Sequence, residues 1–222
     1  VATTYAYRFD KEEKIISTRE IQKSTEMPVL EQSMEEAVLS VKEESLKLML
    51  QSFLYGSDLK NAYKTAKIGV EKYPTHDYWN QKMVEITEWT GKEKEAIKYM
   101  LVLNKTKSTP KLESKLIKKG LSAHQYEKIA KLVEKKAREF PSKKNDEQVT
   151  YVYSQVGTPE KSAIFFEKEY KKDKKKVNKL TQALQIYMDM GDLDSASKIV
   201  KIIENKNLYT LENSKMVAYY YY

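Results

Sequence analysis

The chain has 222 residues, 41% of them hydrophobic and 32% charged, with 40 Lys and Arg against 32 Asp and Glu for a formal charge of +8. That length suffices for a globular domain or about six helical pairs, and the absence of cysteine excludes disulfides, thiolate catalysis and Cys-based metal sites while suiting either cytoplasm or periplasm. The positive charge is dispersed: Lys and Glu intermingle as on solvated helix faces, and only Lys171–Lys176 (KKDKKK) is a basic cluster, read as a helix end or junction.

Residues 1–28 stand apart as a lead-in, irregular or extended. VATTYAYRFD alternates as a short strand or arm does, KEEKIISTREI suits strand or helix, and Met27-Pro28 punctuates. A helical array is expected over 29–222. Leu30, Met34, Ala37, Val38 and Val41 have helical spacing, followed by Leu46, Leu48, Met49, Leu50, Phe53 and Leu54 before Gly56. Asp58 caps a second helix through Lys72, stopped at Tyr73-Pro74.

The next unit starts at Thr75 or His76, runs through Trp79, Met83, Ile86 and Trp89 to Gly91, and returns from Lys92 through Ala96, Ile97, Met100 and Leu101 to Asn104. A divergent third unit spans Pro110 to Lys119, breaks at Gly120-Leu121-Ser122, and returns from Tyr126 to Phe140 and Pro141. The fourth sets Val149, Val152 and Tyr153 before Gly157, with Pro159 in the first turn of the next helix and Ala163, Phe166 and Tyr170 after it. The fifth has Leu180, Leu184 and Tyr187 before Gly191, then Ala196, Ile199, Val200 and Ile203; a last helix begins near Leu208. The opening at Val1 and the closing run Tyr219–Tyr222 read as those of an excised fragment, with the array truncated at its C-terminus. No apolar run approaches the roughly 20 residues of a membrane-spanning helix.

Gly56, Gly91, Gly157 and Gly191 each follow the first helix of a unit. Gly56 to Gly91 and Gly157 to Gly191 each span one period of about 34 residues, and the longer step from Gly91 to Gly157 contains two. Such a period specifies helix-turn-helix units, each too small to bury its own apolar face, and therefore an all-α solenoid with a shared core. The stretch LQIYMDMGDLDSASKIVKII resembles the tetratricopeptide repeat, with Gly at the break and a small residue five positions on. Gly91–Ala96, Gly157–Ser162 and Gly191–Ala196 keep that offset; Gly56 reaches Ala62 one residue late, as after an insertion, and His124 stands where the third break glycine is expected. The resemblance covers about residues 41–208. It implies a right-handed superhelix whose concave groove, lined by first helices, binds proteins or peptides. The segment TEWTGKEKEAIKYMLVL also looks like repeats of the periplasmic scaffold of Pel-type exopolysaccharide export proteins. That likeness implies a place in the periplasm and recruitment of a polysaccharide-modifying enzyme in biofilm export.

No catalytic constellation is legible. The two histidines, His76 and His124, each adjoin a break without metal-ligand spacing and read as cap or surface residues. Glu85 and Glu88 share a helix face, as many acids here do, and Thr90-Gly91-Lys92 lacks the upstream glycine of a phosphate loop. The Asn104-Lys105-Thr106 sequon is incidental. A non-enzymatic protein without cofactor or metal is expected.

Many of the 17 tyrosines, such as Tyr153 and Tyr187, have the spacing of inter-helix packing, as does Phe166. Under the family's geometry the concave side carries Tyr78, Gln81, Glu85, Lys111, Ser114, Lys118, Glu147, Tyr151, Asn178 and Gln185. That mixture of phenols, amides and both charge signs fits a protein partner. Nucleic acid calls for a heavily basic groove with aromatics in series. A polysaccharide stacked on Tyr and Trp is compatible with it, and an anionic polymer, nucleic acid or acidic glycan, on the Lys-rich edges is the alternative.

Overall fold

The computed structural model describes residues 4–9, 15–21 and 42–222. The helix expected from Val29 to Val41 lies outside these residues. Within the lead-in, strands β1 (Thr4–Phe9) and β2 (Ile15–Ile21) pair antiparallel in a register that sets Thr4 opposite Ile21 and Arg8 opposite Ser17, with a bulge between Arg8 and Phe9. This hairpin is the one departure from an all-α fold among the described residues.

Eleven helices follow among the described residues. In one compact unit, residues 1–109, they are α1 (Glu43–Tyr55), α2 (Leu59–Lys72), α3 (Asp77–Trp89) and α4 (Glu93–Thr106). In the other, residues 110–222, they are α5 (Pro110–Ser122), α6 (Tyr126–Glu139), α7 (Lys143–Val156), α8 (Glu160–Lys172), α9 (Val177–Asp189), α10 (Leu193–Asn205) and α11 (Leu211–Tyr221). Consecutive helices pair as hairpins, so both units are helix-turn-helix repeats. The last helix starts three residues beyond Leu208, where Thr210 and Asn213 form a capping box. The lysine-rich stretch is the junction between α8 and α9.

One backbone device closes every hairpin turn. Ser57, Gly91, His124, Gly157 and Gly191 all have φ between 55° and 77°, and each stands one repeat after the last. The residue after each donates its N–H to a carbonyl five positions back: Asp58 to Phe53, Lys92 to Thr87, Gln125 to Gly120, Thr158 to Tyr153 and Asp192 to Tyr187, at 2.8–3.0 Å. This is the Schellman closure, which satisfies carbonyls stranded at a helix end and needs one left-handed residue.

The closure corrects three sequence expectations. Gly56 is not the break residue, for its φ is −78° and the left-handed position belongs to Ser57. Counted from Ser57, Ala62 is five residues on, so the first hairpin has no insertion. Gly120, Leu121 and Ser122 are helical, and the third break is Ala123–Gln125 with His124 in the left-handed conformation, the glycine's place.

Gly120 serves packing instead: a Cβ there would lie 2.3 Å from Ile129 Cγ2. Gly69 on α2 likewise admits the fully buried Trp79, since a Cβ would fall 2.2 Å from its ring. Trp89, the last residue of α3, is 59% exposed. In the second unit a single core runs from Ile117 through Val133, Val152, Phe166, Leu184 and Val200 to Val217, crossing every helix boundary. Each helix of this unit thus contributes to a shared interior that no hairpin encloses alone.

Charge is buried where α6, α7 and α8 meet. Arg138 of α6 donates to Glu134 (2.8 Å) and, through Nε, to Glu169 of α8 (3.0 Å), while the Tyr153 hydroxyl of α7 donates to Glu134. Arginine's fixed fork bridges two carboxylates where lysine offers a single point charge. Burial works to raise the Glu134 carboxyl, but hydrogen bonds from Tyr153 and Lys131 and the charges of Lys131 and Arg138 outweigh it, leaving it below the usual carboxylate range. Burial, then the Glu134 bond, pushes the Tyr153 phenol up.

Candidate functional site: a groove on the first helices of the second unit

Alternation of hairpins places α7, α9 and α11, all first helices, along one face. Ser142 starts α7 by accepting the Asn145 N–H (3.2 Å), and the left-handed Gly157 ends it; Thr210 and Asn213 cap α11 reciprocally. Together the three helices line a groove of about 1160 Å³.

Its walls are mixed. Glu147 and Tyr151 come from α7, Asn178 and Gln185 from α9, and Ile186, Met188, Met216 and Tyr219 supply its apolar lining. Tyr151 and Tyr219 are well exposed, at 49% and 73%. Tyr151 is held at the rim by a ring edge contact and a 3.3 Å hydroxyl contact with Tyr126, whose own hydroxyl lies 2.7 Å from His124 Nδ1. The Tyr151 bond, then burial, raises the Tyr126 phenol. Gln185 donates to Asp189 (2.6 Å).

The floor carries a buried ion pair. Asp146 of α7 and Lys179 of α9 are 2% and 5% exposed, and Lys179 Nζ donates to Asp146 Oδ2. Gln182 Nε2 donates to the same oxygen (3.2 Å). Asp146 Oδ1 and Gln182 Oε1 are buried and have no hydrogen-bond partner among the described residues. Lys179 Nζ also lies 5.2 Å from the Phe166 ring centroid, a cation–π distance.

Of the residues placed on the concave side by sequence, Glu147, Tyr151, Asn178 and Gln185 line this groove together. Tyr78, Gln81 and Glu85 share a face of α3 in the other unit. There Tyr78 is partly buried with Lys47 and Lys82 beside its ring, and Glu85 accepts from both Gln81 (3.2 Å) and Lys82 (2.7 Å). Lys111, Ser114 and Lys118 are exposed on α5 and do not line the groove. His76 caps α3, its Nδ1 accepting from the Tyr78 N–H (3.3 Å).

Sequence reasoning missed Asp146, Lys179 and Gln182. A signal was present. Counted back from the break, Asp146 holds the place that Leu46 and Leu180 hold in their hairpins, and Lys179 holds the place of Trp79. Charged residues of opposite sign at two such inward positions, in successive repeats, mark an inter-repeat ion pair.

No family model matches the chain, and no curated protein matches it. Solved structures do. The Naa15/Naa10 complex bound to HypK-THB aligns at 14% identity and a TM-score of 0.48, over 87% of this chain but 30% of that one, so this chain spans about a third of its length. YrrB, a TPR protein with an unusual peptide-binding site, aligns at 11% identity and 0.35, over 82% and 92% of the two chains. A tetratricopeptide repeat protein from Parabacteroides merdae aligns at 16% and 0.35, over 80% and 72%. These are likenesses of helical repeat, and the repeat assignment here rests on the hairpins themselves.

Proposed function

We propose that this chain is a non-catalytic scaffold that binds a segment of a partner protein in the groove of α7, α9 and α11. The observation that supports this is the groove's lining: accessible tyrosines, apolar side chains and amides, with Lys143, Lys176 and Lys215 balanced by Glu147, Asp189 and Glu212. Aromatic anchors within a polar rim are what a protein interface needs. Replacing Tyr151 by a photo-crosslinking phenylalanine in the source cells tests it, with Lys168, exposed on α8, as control position. A protein captured from position 151 and absent from 168 supports the reading; equal capture at both, or none, removes it.

A narrower form places the scaffold in the periplasm, recruiting a polysaccharide-modifying enzyme for export. It rests on residues 87–103 alone, and the captured protein decides it: an exported polysaccharide-modifying enzyme supports it and a cytoplasmic partner rejects it.

A second reading, capture of an anionic polymer, is favoured by a separate cleft of about 650 Å³ in the first unit. It is lined by Lys60, Lys64, Lys67 and Lys92, with Lys92 Nζ 3.7 Å from the Tyr63 ring centroid. Affinity for a polyanion such as heparin or single-stranded DNA then falls steeply with salt. A flat titration eliminates it.

A further inference from the structure

The groove floor offers a specific set of hydrogen-bonding atoms. Asp146 Oδ2 receives both Lys179 Nζ and Gln182 Nε2, which leaves Asp146 Oδ1 and Gln182 Oε1 buried and unpaired among the described residues. The amide of Gln182 cannot turn over, because its nitrogen must face the carboxylate; its oxygen therefore faces elsewhere. The Lys179 ammonium has three hydrogens, of which the Asp146 bond uses one. The floor thus holds two unpaired acceptors and a spare donor beneath its surface, and buried acceptors of this kind ordinarily have partners.

Charge narrows the choice of occupant. Asp146 and Lys179 cancel, as do the three acids and three lysines of the walls, so a cation has no net charge to meet and lies beside Lys179. A carboxylate has no hydrogen to give to the two oxygens. A primary carboxamide matches all three atoms, with two N–H donors and one acceptor oxygen.

We propose, on the groove reading above, that the occupant is a peptide segment anchored by an Asn or Gln side chain. Its NH₂ donates to Asp146 Oδ1 and Gln182 Oε1, and its oxygen accepts from Lys179 Nζ. Both oxygens are closed to solvent as the chain stands, so binding requires the part-buried Gln182 side chain to move aside. The apolar lining supplies the second contact. Ile186 is one helical turn beyond Gln182, about 6 Å along α9. Alternate residues of an extended chain are about 6.6 Å apart on one face, so the carboxamide and an apolar residue two positions away reach both at once.

Panning a phage-displayed random peptide library on the whole chain tests this. The expected outcome is enrichment of Asn or Gln two positions from an apolar residue. Synthetic peptides of those sequences then lose about tenfold in affinity, the effect of one strong hydrogen-bonding anchor, when Gln182→Met replaces wild type or when Asp replaces Asn in the peptide. Should Gln182→Met fail to fold, the peptide-side exchange against wild-type protein decides alone. Binders weakened by Tyr151→Ala that lack a carboxamide, prefer Arg or Lys, or ignore Gln182→Met overturn this inference and leave the groove reading standing. Binders indifferent to Tyr151→Ala, or no binders at all, overturn the groove reading and this inference with it.

Discussion

Gly120 and Ile129 exchange the usual sizes across a helix hairpin. Five residues after the break stand Ala62, Ala96, Ser162 and Ala196 in four hairpins and Ile129 in the third; four residues before it stand Phe53, Thr87, Tyr153, Tyr187 and Gly120. Every one of the residues after the break is fully buried. Where the later residue is large, the earlier one has shrunk to nothing, and a Cβ on Gly120 would meet Ile129 Cγ2 at 2.3 Å.

Gly120→Ala therefore destabilises the protein by about 1–3 kcal/mol through overpacking, and Ile129→Ala by about 2–5 kcal/mol through a cavity. Gly120→Thr with Ile129→Ala reproduces the Thr87 and Ala96 pairing of the second hairpin. Chemical denaturation of both singles and the double is expected to show favourable coupling of at least about 0.5 kcal/mol; strict additivity removes the size exchange.

The left-handed turn residues predict opposite signs for opposite exchanges. A Cβ on Gly157 has nothing within 4 Å, so Gly157→Ala carries only the conformational cost of φ near 77°, about 1 kcal/mol. Ser57→Gly relieves the same cost at φ 55°, raising stability by up to about 1 kcal/mol, less what glycine's greater unfolded freedom takes back. Thermal melts resolve both.

Removing one member of the buried ion pair is worse than removing both. Lys179→Met leaves Asp146 charged under a nearly closed surface and is expected to cost about 3–5 kcal/mol, whereas Lys179→Met with Asp146→Leu recovers much of that. A single variant as stable as wild type shows the pair to be solvated.

Acid stability follows from Glu134. Its folded value is lowered from the ordinary 4.5, so its contribution is fully present above pH 4.5 and is lost as pH falls through the lowered folded value. Glu134→Gln removes that dependence. Unfolding free energies measured at pH 6 and at pH 3 are expected to differ less for Glu134→Gln than for wild type.

Core truncations check the helical register in both units. Leu184 and Ile97 are fully buried, and each to Ala is expected to cost about 2–5 kcal/mol in equilibrium unfolding. A change within about 0.5 kcal/mol at either position places that side chain at the surface.

Much of this architecture is readable from the sequence because it is carried by period and by local chemistry. Asp58, His76 and Pro159 begin or precede helices as their types require, and Trp79, Met83, Phe166 and Leu184 fall inside as the helical spacing demands. What escapes depends on backbone state or on partners a repeat away. Glycine is permitted a positive φ without being bound to it, so Gly56 draws attention from Ser57, and Gly120 reads as a break when its role is to leave room for Ile129. The groove positions Glu147, Tyr151, Asn178 and Gln185 are legible as a stripe on successive first helices. Asp146, Lys179 and Gln182 are not, since their meaning comes from pairing with the neighbouring repeat.

Each hairpin turn is fastened by main-chain atoms, with a single backbone angle as its only demand on the residue at the corner. Side chains on the flanking helices are thereby released from any duty at the bend. Such a chain can exchange, gain or drop a whole hairpin while neighbouring corners stay intact, and the side chains of its groove are free to diverge without disturbing those corners.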